Sequence, residues 1–206
     1  MNKTAQLLTA PLPESEACVQ PRTHRWTSAE YRRMVELNLF DGRRVELMDG
    51  EVLDMPAQKI FPMAAITLLH EALRQVFGDG YWVRIQGSLD LSPTSVPDPD
   101  IAVVQGSPRG CADKNPNTAL LVVEVSDTTL AYDRGRKASL YARAGIADYW
   151  IVNLIDRRLE VYRNPVPDVS QPHGFGYANK MLLEPNETIS PLAVPQAHLR
   201  AADILP

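Results

Sequence analysis

A single mixed α/β domain is the fold class that this sequence predicts, and three observations support it. The chain has 206 residues, close to the size of one ordinary domain. Its composition, 45% hydrophobic and 22% charged, is that of a globular protein. Helical and strand periodicities follow one another in the order helix, hairpin, helix, several strands, helix and strand pair. The domain is expected over residues 25–206, after a flexible N-terminal tail over residues 1–24.

A helix and a hairpin are predicted to open the domain. Thr27 and Glu30 have the spacing of a capping box, so a helix is expected to begin at Thr27. Asp49-Gly50 lies between two short alternating apolar stretches, and this dipeptide predicts a hairpin because glycine tolerates the positive φ of a tight turn. The side chains that the first helix is expected to bury are Tyr31, Met34 and Val35.

The remaining elements follow from apolar periodicity and from the glycines and prolines that punctuate it. In chain order the predicted strands cover residues 44–48, 51–55, 81–91, 101–104, 119–126, 148–154 and 158–163. Further helices are predicted over residues 62–77 and about 131–144. A run rich in proline, glycine and asparagine over 164–180 is predicted to be a loop before a last strand over 180–183.

Two carboxylates are expected to meet across one antiparallel hairpin. If strands 101–104 and 119–126 pair around their turn-rich connection, Asp100 lies opposite residue 123 or 124, so Asp100 and Glu124 can face each other at ~5 Å. Carboxylates this close repel one another, and a glutamate inside the run LLVVEVS is costly to bury unpaired. A hard divalent cation, Mg²⁺ or Mn²⁺, bound between the two carboxylates would remove their repulsion and neutralise the buried glutamate. The alternative is an exposed Asp100 in a turn and a Glu124 near solvent at its strand end.

Charge and cysteine content limit the possible partners and compartments. The balance of 21 basic and 25 acidic residues gives a net charge of −4, which argues against a general nucleic-acid coat. Two cysteines without CxxC spacing suit a reducing cytoplasm. No apolar run is long enough to cross a bilayer, so no membrane partner is expected. The chain is therefore expected to be cytoplasmic.

Basic residues nevertheless crowd the helix that follows the Glu124 strand. Such a patch could hold phosphates beside a metal, although a solvated helix face explains it as well. The four residues of this basic patch are Arg134, Arg136, Lys137 and Arg143.

Several segments of the chain resemble a known family. They are PDPDIAVV (97–104), LLVVEVSD (120–127), YDRGRKASLYARAGIADYWIV (132–152) and RVELMDGEVLDM (44–55). Taken in chain order over residues 25–165, these segments make the chain similar to the Uma-type restriction endonucleases, a domain of unknown function within the PD-(D/E)XK nuclease superfamily. The resemblance implies a restriction-endonuclease-like fold, with a central mixed sheet flanked by helices.

The resemblance also implies roles for particular residues. Asp100 matches the motif aspartate and Glu124 its acidic partner, both binding the metal, and the Val125 carbonyl adds a ligand. Glu46 matches an acidic position that assists metal binding, with an exposed strand glutamate as the alternative. The superfamily lysine would stand at Ser126; as in the Uma-type proteins, it has moved to the next helix, where it matches Lys137.

Other interpretations of single residues remain open at this stage. Lys137 could instead form a surface ion pair with Asp133, one helical turn earlier. Asp98, held between two prolines, could be the motif aspartate itself or a group behind it. Tyr141 is expected to be core packing.

The function that follows from the resemblance is a metal-dependent endonuclease that hydrolyses DNA phosphodiester bonds with Mg²⁺ or Mn²⁺. A homodimer is expected, because enzymes that cut both strands commonly pair two sites by two-fold symmetry. The alternative is a non-catalytic module that keeps the nuclease-like fold for binding or self-association. A third interpretation is a metal-dependent phosphohydrolase acting on small nucleotides.

Overall fold

The computed structural model describes residues 21–57, 59–110 and 114–206. The predicted N-terminal tail falls outside these ranges over residues 1–20, as do Cys18 and Cys111. Residues 21–27, which precede the first helix, form neither helix nor strand. Within the described ranges, no helix combines the length and apolar character needed to cross a membrane.

The first helix and the hairpin form as the sequence predicts. Helix α1 (Ser28–Glu36) begins after Thr27, whose hydroxyl accepts a hydrogen bond from the Glu30 backbone N–H, while the Glu30 carboxylate accepts one from Thr27. Strands β1 (Val45–Met48) and β2 (Glu51–Asp54) pair antiparallel, and both residues of their turn have positive φ. The prediction that Tyr31 is buried is confirmed. The prediction that Val35 is buried is wrong, because only a narrow stripe of α1 packs on the hairpin and Val35 lies outside it.

A six-stranded mixed sheet forms the centre of the fold. Its spatial order is β3-β4-β5-β6-β7-β8, and only β5 and β6 run parallel. The antiparallel register pairs Ile101 with Val123, within the predicted range. The strands are β3 (Tyr81–Ile85), β4 (Ile101–Gln105), β5 (Leu121–Ser126), β6 (Asp148–Asn153), β7 (Arg158–Pro167) and β8 (Phe175–Leu183).

Helices cover both faces of this sheet, as expected. Helix α2 (Ile60–Phe77) packs on the face that carries Val123 and Val125. The parallel pair β5–β6 requires a crossover, which is made by α3 (Leu130–Tyr132), a π-helical turn (Asp133–Lys137) and α4 (Ala138–Arg143). This crossover packs on the opposite face, against Val122 and Tyr149. Because side chains alternate along a strand, Glu124 points toward the crossover.

The predicted loop over residues 164–180 is wrong. Strand β7 continues to Pro167 and β8 begins at Phe175, so a long hairpin fills most of this range. Pairing with β6 stops at Arg163, so the prolines beyond it have a neighbouring strand on one side only. Proline is tolerated at such edge positions. Strand β3 is also shorter than predicted, ending at Ile85.

Short elements complete the chain behind the sheet. Strands β9 (Thr188–Ile189) and β10 (Leu199–Arg200) pair antiparallel, and a 3₁₀ turn follows over Ala201–Ile204. The apolar residues of this segment join α2 in the core on one face of the sheet.

Candidate active site

Glu124 lies inside the structure rather than at a solvent-exposed strand end. It is 3% exposed, in the middle of β5, and it faces the crossover. Its Oε1 accepts a hydrogen bond from Lys137 Nζ at 2.9 Å and another from the Tyr141 hydroxyl at 2.7 Å. The alternative of a Glu124 near solvent is therefore wrong.

Asp100 lies beside Glu124, immediately before β4. Continuing the register of Ile101 with Val123 places it opposite Glu124. It is 6% exposed, and its Oδ2 accepts a hydrogen bond from the Val125 backbone N–H at 2.9 Å. This bond fixes the carboxylate at the end of the ladder, so the alternative of an exposed turn residue is wrong. Its Oδ1 lies 3.9 Å from Arg44 Nη2.

Lys137 joins two glutamates in the interior. Its side chain is 2% exposed, and Nζ lies 3.3 Å from Glu46 Oε1 as well as 2.9 Å from Glu124 Oε1. Glu46 is fully buried in β1, so the alternative of an exposed strand glutamate is wrong. In the described part of the chain, Glu46 Oε2 has no hydrogen-bond partner. The hairpin and the crossover therefore meet at one buried ammonium group.

Asp133 is held by other partners than the predicted one. Its Oδ2 accepts hydrogen bonds from the Ser126 and Thr129 hydroxyls at 2.6 and 2.7 Å. Both Asp133 and Lys137 are buried, so the alternative of a surface ion pair between them is wrong. Ser126 and Thr129 thus position an acidic side chain.

The crossover has an irregular shape where it meets Glu124. Asp133–Lys137 form a π-helical turn between two α-helical segments, instead of the continuous helix that the sequence predicts. Such turns add a residue to the helix and occur frequently at functional sites. Lys137, at the end of the turn, and Tyr141, in the regular helix after it, both reach the same glutamate oxygen.

The buried charges do not balance, and the pKa values reflect this. Burial, opposed by Lys137 and reinforced by neighbouring carboxylates, raises the pKa of Glu124 to about 8. Burial also raises the pKa of Glu46 and of Asp133. Burial alone would lower the pKa of Lys137, but the surrounding carboxylates hold it well above its usual value. One lysine is thus shared among more acidic groups than it can neutralise.

A small cleft of about 60 Å³ opens onto these groups. Asp100, Glu124, Val125 and Lys137 line it together with Arg44, whereas Glu46 contacts Lys137 from behind and does not line the cleft. This volume has room for an ion and a few waters but not for a nucleotide. The residues described contain no group of three or more histidine, cysteine, aspartate or glutamate side chains already arranged around a common ion position.

The residues at the cleft nevertheless fit a divalent cation. Two carboxylates and a strand-end carbonyl are hard oxygen donors of the kind that Mg²⁺ and Mn²⁺ take. A cation would supply the positive charge that Glu124 lacks, and without which its pKa stays near 8.

The basic patch is neutralised by carboxylates of this chain. Each of its four residues has an acidic partner and Lys137 is buried, so a solvated face does not describe the whole patch, whereas phosphate binding by its partly exposed arginines stays a prediction. The pairs are Arg134 with Glu160, Arg136 with Glu51, Lys137 with Glu124 and Glu46, and Arg143 with Asp49. The basic residues at the cleft itself are Arg44, Lys59 and Lys137.

Three residues of the site have no predicted role in metal binding or catalysis. Tyr141 is buried as expected, but its hydroxyl also holds Glu124. Its position four residues after Lys137 was the available signal. Asp133 precedes Lys137 by the same interval of four residues. Two hydroxyl groups donate hydrogen bonds to its carboxylate and so compensate for its burial. Arg44 carried no signal, because only the fold brings it to Asp100.

Comparison with known proteins supports the fold and the family. A solved structure of a putative nuclease belonging to DUF820, from Anabaena variabilis, matches with a TM-score of 0.65 over 87% of this chain and 97% of that chain. At 14% identity, this likeness shows a shared fold. Comparison with curated proteins gives no match. The family described as putative restriction endonuclease, Uma2, matches residues 28–202, and since this is most of the chain, the chain belongs to the Uma2 family.

Proposed function

We propose that this chain is a metal-dependent endonuclease that hydrolyses DNA phosphodiester bonds with Mg²⁺ or Mn²⁺. The observation that carries the proposal is the excess of buried carboxylates over positive charge around Lys137, at a cleft of ion-sized volume. Membership of a nuclease family supports the reaction class. The resemblance to the PD-(D/E)XK superfamily supports the choice of residues.

Asp100, Glu124 and the Val125 carbonyl would hold the metal in this proposal. A cation held there would polarise the phosphate and would lower the pKa of a water molecule, so that a nucleophile would be available at neutral pH. The hydrogen bond from the Val125 N–H keeps Asp100 oriented toward the cleft. Glu46 would assist metal binding through its contact with Lys137.

Lys137 would act at the reacting phosphate. It lines the cleft, and its ammonium group is held by Glu124 and Glu46 rather than by solvent. From this position it can orient the attacking water and neutralise charge that develops on the phosphate, as positioned cations do in such transition states. Tyr141 would be a positioning residue, because its hydroxyl fixes the orientation of Glu124.

The test is nicking of supercoiled DNA by purified protein with Mg²⁺ or Mn²⁺. Asp100→Asn and Glu124→Gln are expected to reduce nicking by at least about a hundredfold, because each removes a charge from the metal ligands. Asp203→Asn, in the exposed ion pair with Arg200, is the control that keeps activity. Equal nicking by all four proteins would identify a contaminating nuclease and overturn the proposal.

The alternative of a non-catalytic module draws on one observation. The basic patch, which a DNA-cleaving enzyme could turn toward phosphates, is instead paired with carboxylates. A protein of this kind would keep its fold without cleaving DNA. Mn²⁺ binding that depends on Asp100 and Glu124 but is accompanied by no nicking of any DNA substrate would favour this alternative.

The same proposal includes a homodimer, which would present two sites to the two strands of a duplex. Light scattering is expected to give about twice the chain mass of 22.9 kDa. A monomer at working concentration would remove the dimer from the proposal and leave single-strand nicking.

A further inference from the structure

A second and much larger cavity adjoins the cleft. It has a volume of about 560 Å³, against about 60 Å³ for the cleft, and lies between α1, the segment after it, β1 and residues near Asp98. Arg44 lines both, with its Nη2 3.3 Å from the Asp98 backbone carbonyl and 3.9 Å from Asp100 Oδ1. One side chain therefore separates the proposed metal ligands from a space in the size range of small-molecule sites, roughly 300–1,000 Å³.

The cavity has a flat aromatic element in its wall. The Arg43 guanidinium lies over the Phe40 ring, with Cζ 5.5 Å from the ring centroid. Tyr31, which also lines the cavity, packs against Phe40 with 5.9 Å between the ring centroids. Aromatic rings and guanidinium planes are the surfaces on which proteins stack nucleobases, and this stacking contributes to affinity for every base.

Asp98 gives the same cavity a specific polar group. It lines the cavity, and its Oδ1 is buried with no hydrogen-bond partner in the described part of the chain. Ser88 hydrogen-bonds the carboxyl group, and Arg44 donates to the backbone carbonyl of Asp98. A buried acceptor without a donor is costly, and an ionised carboxylate accepts hydrogen bonds only.

We propose that this cavity is a nucleobase subsite that receives a guanine adjacent to the cleaved phosphodiester bond, stacked at Phe40–Arg43 and read by Asp98. The inference rests on the proposed endonuclease function and deepens it by naming the base. Guanine presents two neighbouring donors, N1–H and N2–H, on its Watson–Crick edge, and a carboxylate oxygen has two lone pairs to accept them. The other three bases have no two adjacent donors on that edge, because each of their donors there lies next to an acceptor that a carboxylate repels.

The test uses the full chain without metal and the four deoxynucleoside 5′-monophosphates, so that binding is measured apart from cleavage. Titrations followed by ¹H–¹⁵N NMR are expected to show dGMP binding at least about tenfold tighter than dAMP, dCMP or dTMP. The shifted resonances should include Phe40 and Asp98. Equal binding of all four nucleotides, no binding of any, or shifts confined to another surface would overturn the proposal.

Two variants test the assigned roles. Asp98→Asn keeps the size of the side chain but adds donors, so it should remove the preference for dGMP while leaving dAMP affinity within about twofold. Phe40→Leu should weaken all four nucleotides together, because it removes the stacking surface. An Asp98→Asn protein that melts like the wild type and still prefers dGMP tenfold would refute the reading of the base by Asp98.

Failure of this inference can be told apart from failure of the nuclease proposal. Glu124→Gln, which is expected to stop nicking, should bind dGMP as the wild type does, because Glu124 and its partners Lys137 and Tyr141 do not line the larger cavity. If wild type nicks DNA but binds no nucleotide at Phe40 and Asp98, only the subsite is lost. If the dGMP preference is found without any nicking, the guanine-binding cavity stands, whereas its place beside a cleaved bond falls with the catalytic proposal.

Discussion

At the scale of single residues, Lys137 decides the electrostatics of the site. An ammonium group buried at 2% exposure would lose its charge in an apolar surrounding. Here Glu124 and Glu46 contact it directly, while Asp100 and Asp133 add their fields from a greater distance. The lysine is therefore kept charged by the acidic groups that would hold the metal.

Replacing this lysine is expected to be costly to stability. Lys137→Met should lower the free energy of unfolding by about 3–5 kcal/mol, because it leaves buried carboxylates without their cation. Arg143→Met is the matched control: its ion pair with Asp49 is one-third exposed and should contribute about 1 kcal/mol or less. Urea unfolding at pH 8 provides both values, and equal losses for the two variants would contradict the burial of Lys137.

Tyr141 offers a test of how Glu124 is held. Tyr141→Phe removes a hydrogen bond to the carboxylate, so the pKa of Glu124 should rise further and Mn²⁺ binding should need a higher pH. Tyr149→Phe is the control, because the Tyr149 hydroxyl donates to the Asp133 backbone carbonyl instead. Calorimetric titrations across pH compare them. A Tyr141→Phe profile identical to that of Tyr149→Phe would contradict the role of the hydroxyl.

At the scale of elements, the π-helical turn determines which side chains of the crossover meet Glu124. The turn begins at Asp133, whose carboxylate accepts hydrogen bonds from the Ser126 and Thr129 hydroxyls, and it ends at Lys137. Gly135 lies inside this turn, and a Cβ added there would meet no described atom within 4 Å beyond the backbone of the turn itself. The packing around the turn therefore leaves room for a side chain at this position.

Gly135→Ala is accordingly expected to stabilise the protein by about 0.4–1 kcal/mol, mainly by restricting the unfolded chain. Gly50→Ala should do the opposite, because Gly50 has φ of +77° and a Cβ there would lie 2.8 Å from Arg25 Cβ. Thermal unfolding of the two variants is the measurement. A destabilised Gly135→Ala protein would mean that the turn needs the freedom of glycine.

Elements whose signals are local could be predicted from the sequence. The capping box at Thr27 and the hairpin at Asp49-Gly50 form because adjacent residues determine them. The register between Ile101 and Val123 followed from the length of their connection. The π-helical turn could not be predicted, because helical periodicity does not distinguish it from a regular helix and the contacts that Lys137 and Asp133 make there are tertiary. The β7–β8 hairpin was missed because proline and glycine there suggested a loop.

At the scale of the whole molecule, the fold explains how distant segments form one site. Hairpin β1–β2 contributes Glu46 to the site, and the crossover contributes Lys137. Asp100, directly before β4, and Glu124, in β5, come from the central sheet. The spacing of these four residues along the chain predicts contacts between two of them at a time. That all four lie together is implied only by the family resemblance or seen in the fold. The acidic net charge of −4 is consistent with the pairing of most basic side chains near the site.

The central claim, that these carboxylates form a divalent-metal site, is tested most directly by calorimetric titration with Mn²⁺ at pH 6, 7 and 8.5. Because the pKa of Glu124 is about 8 without metal, binding must displace its proton at lower pH. The affinity should rise about tenfold per pH unit up to about pH 8 and then level off, with Glu124→Gln abolishing binding. Affinity that is independent of pH, or unchanged in Glu124→Gln, would contradict the claim.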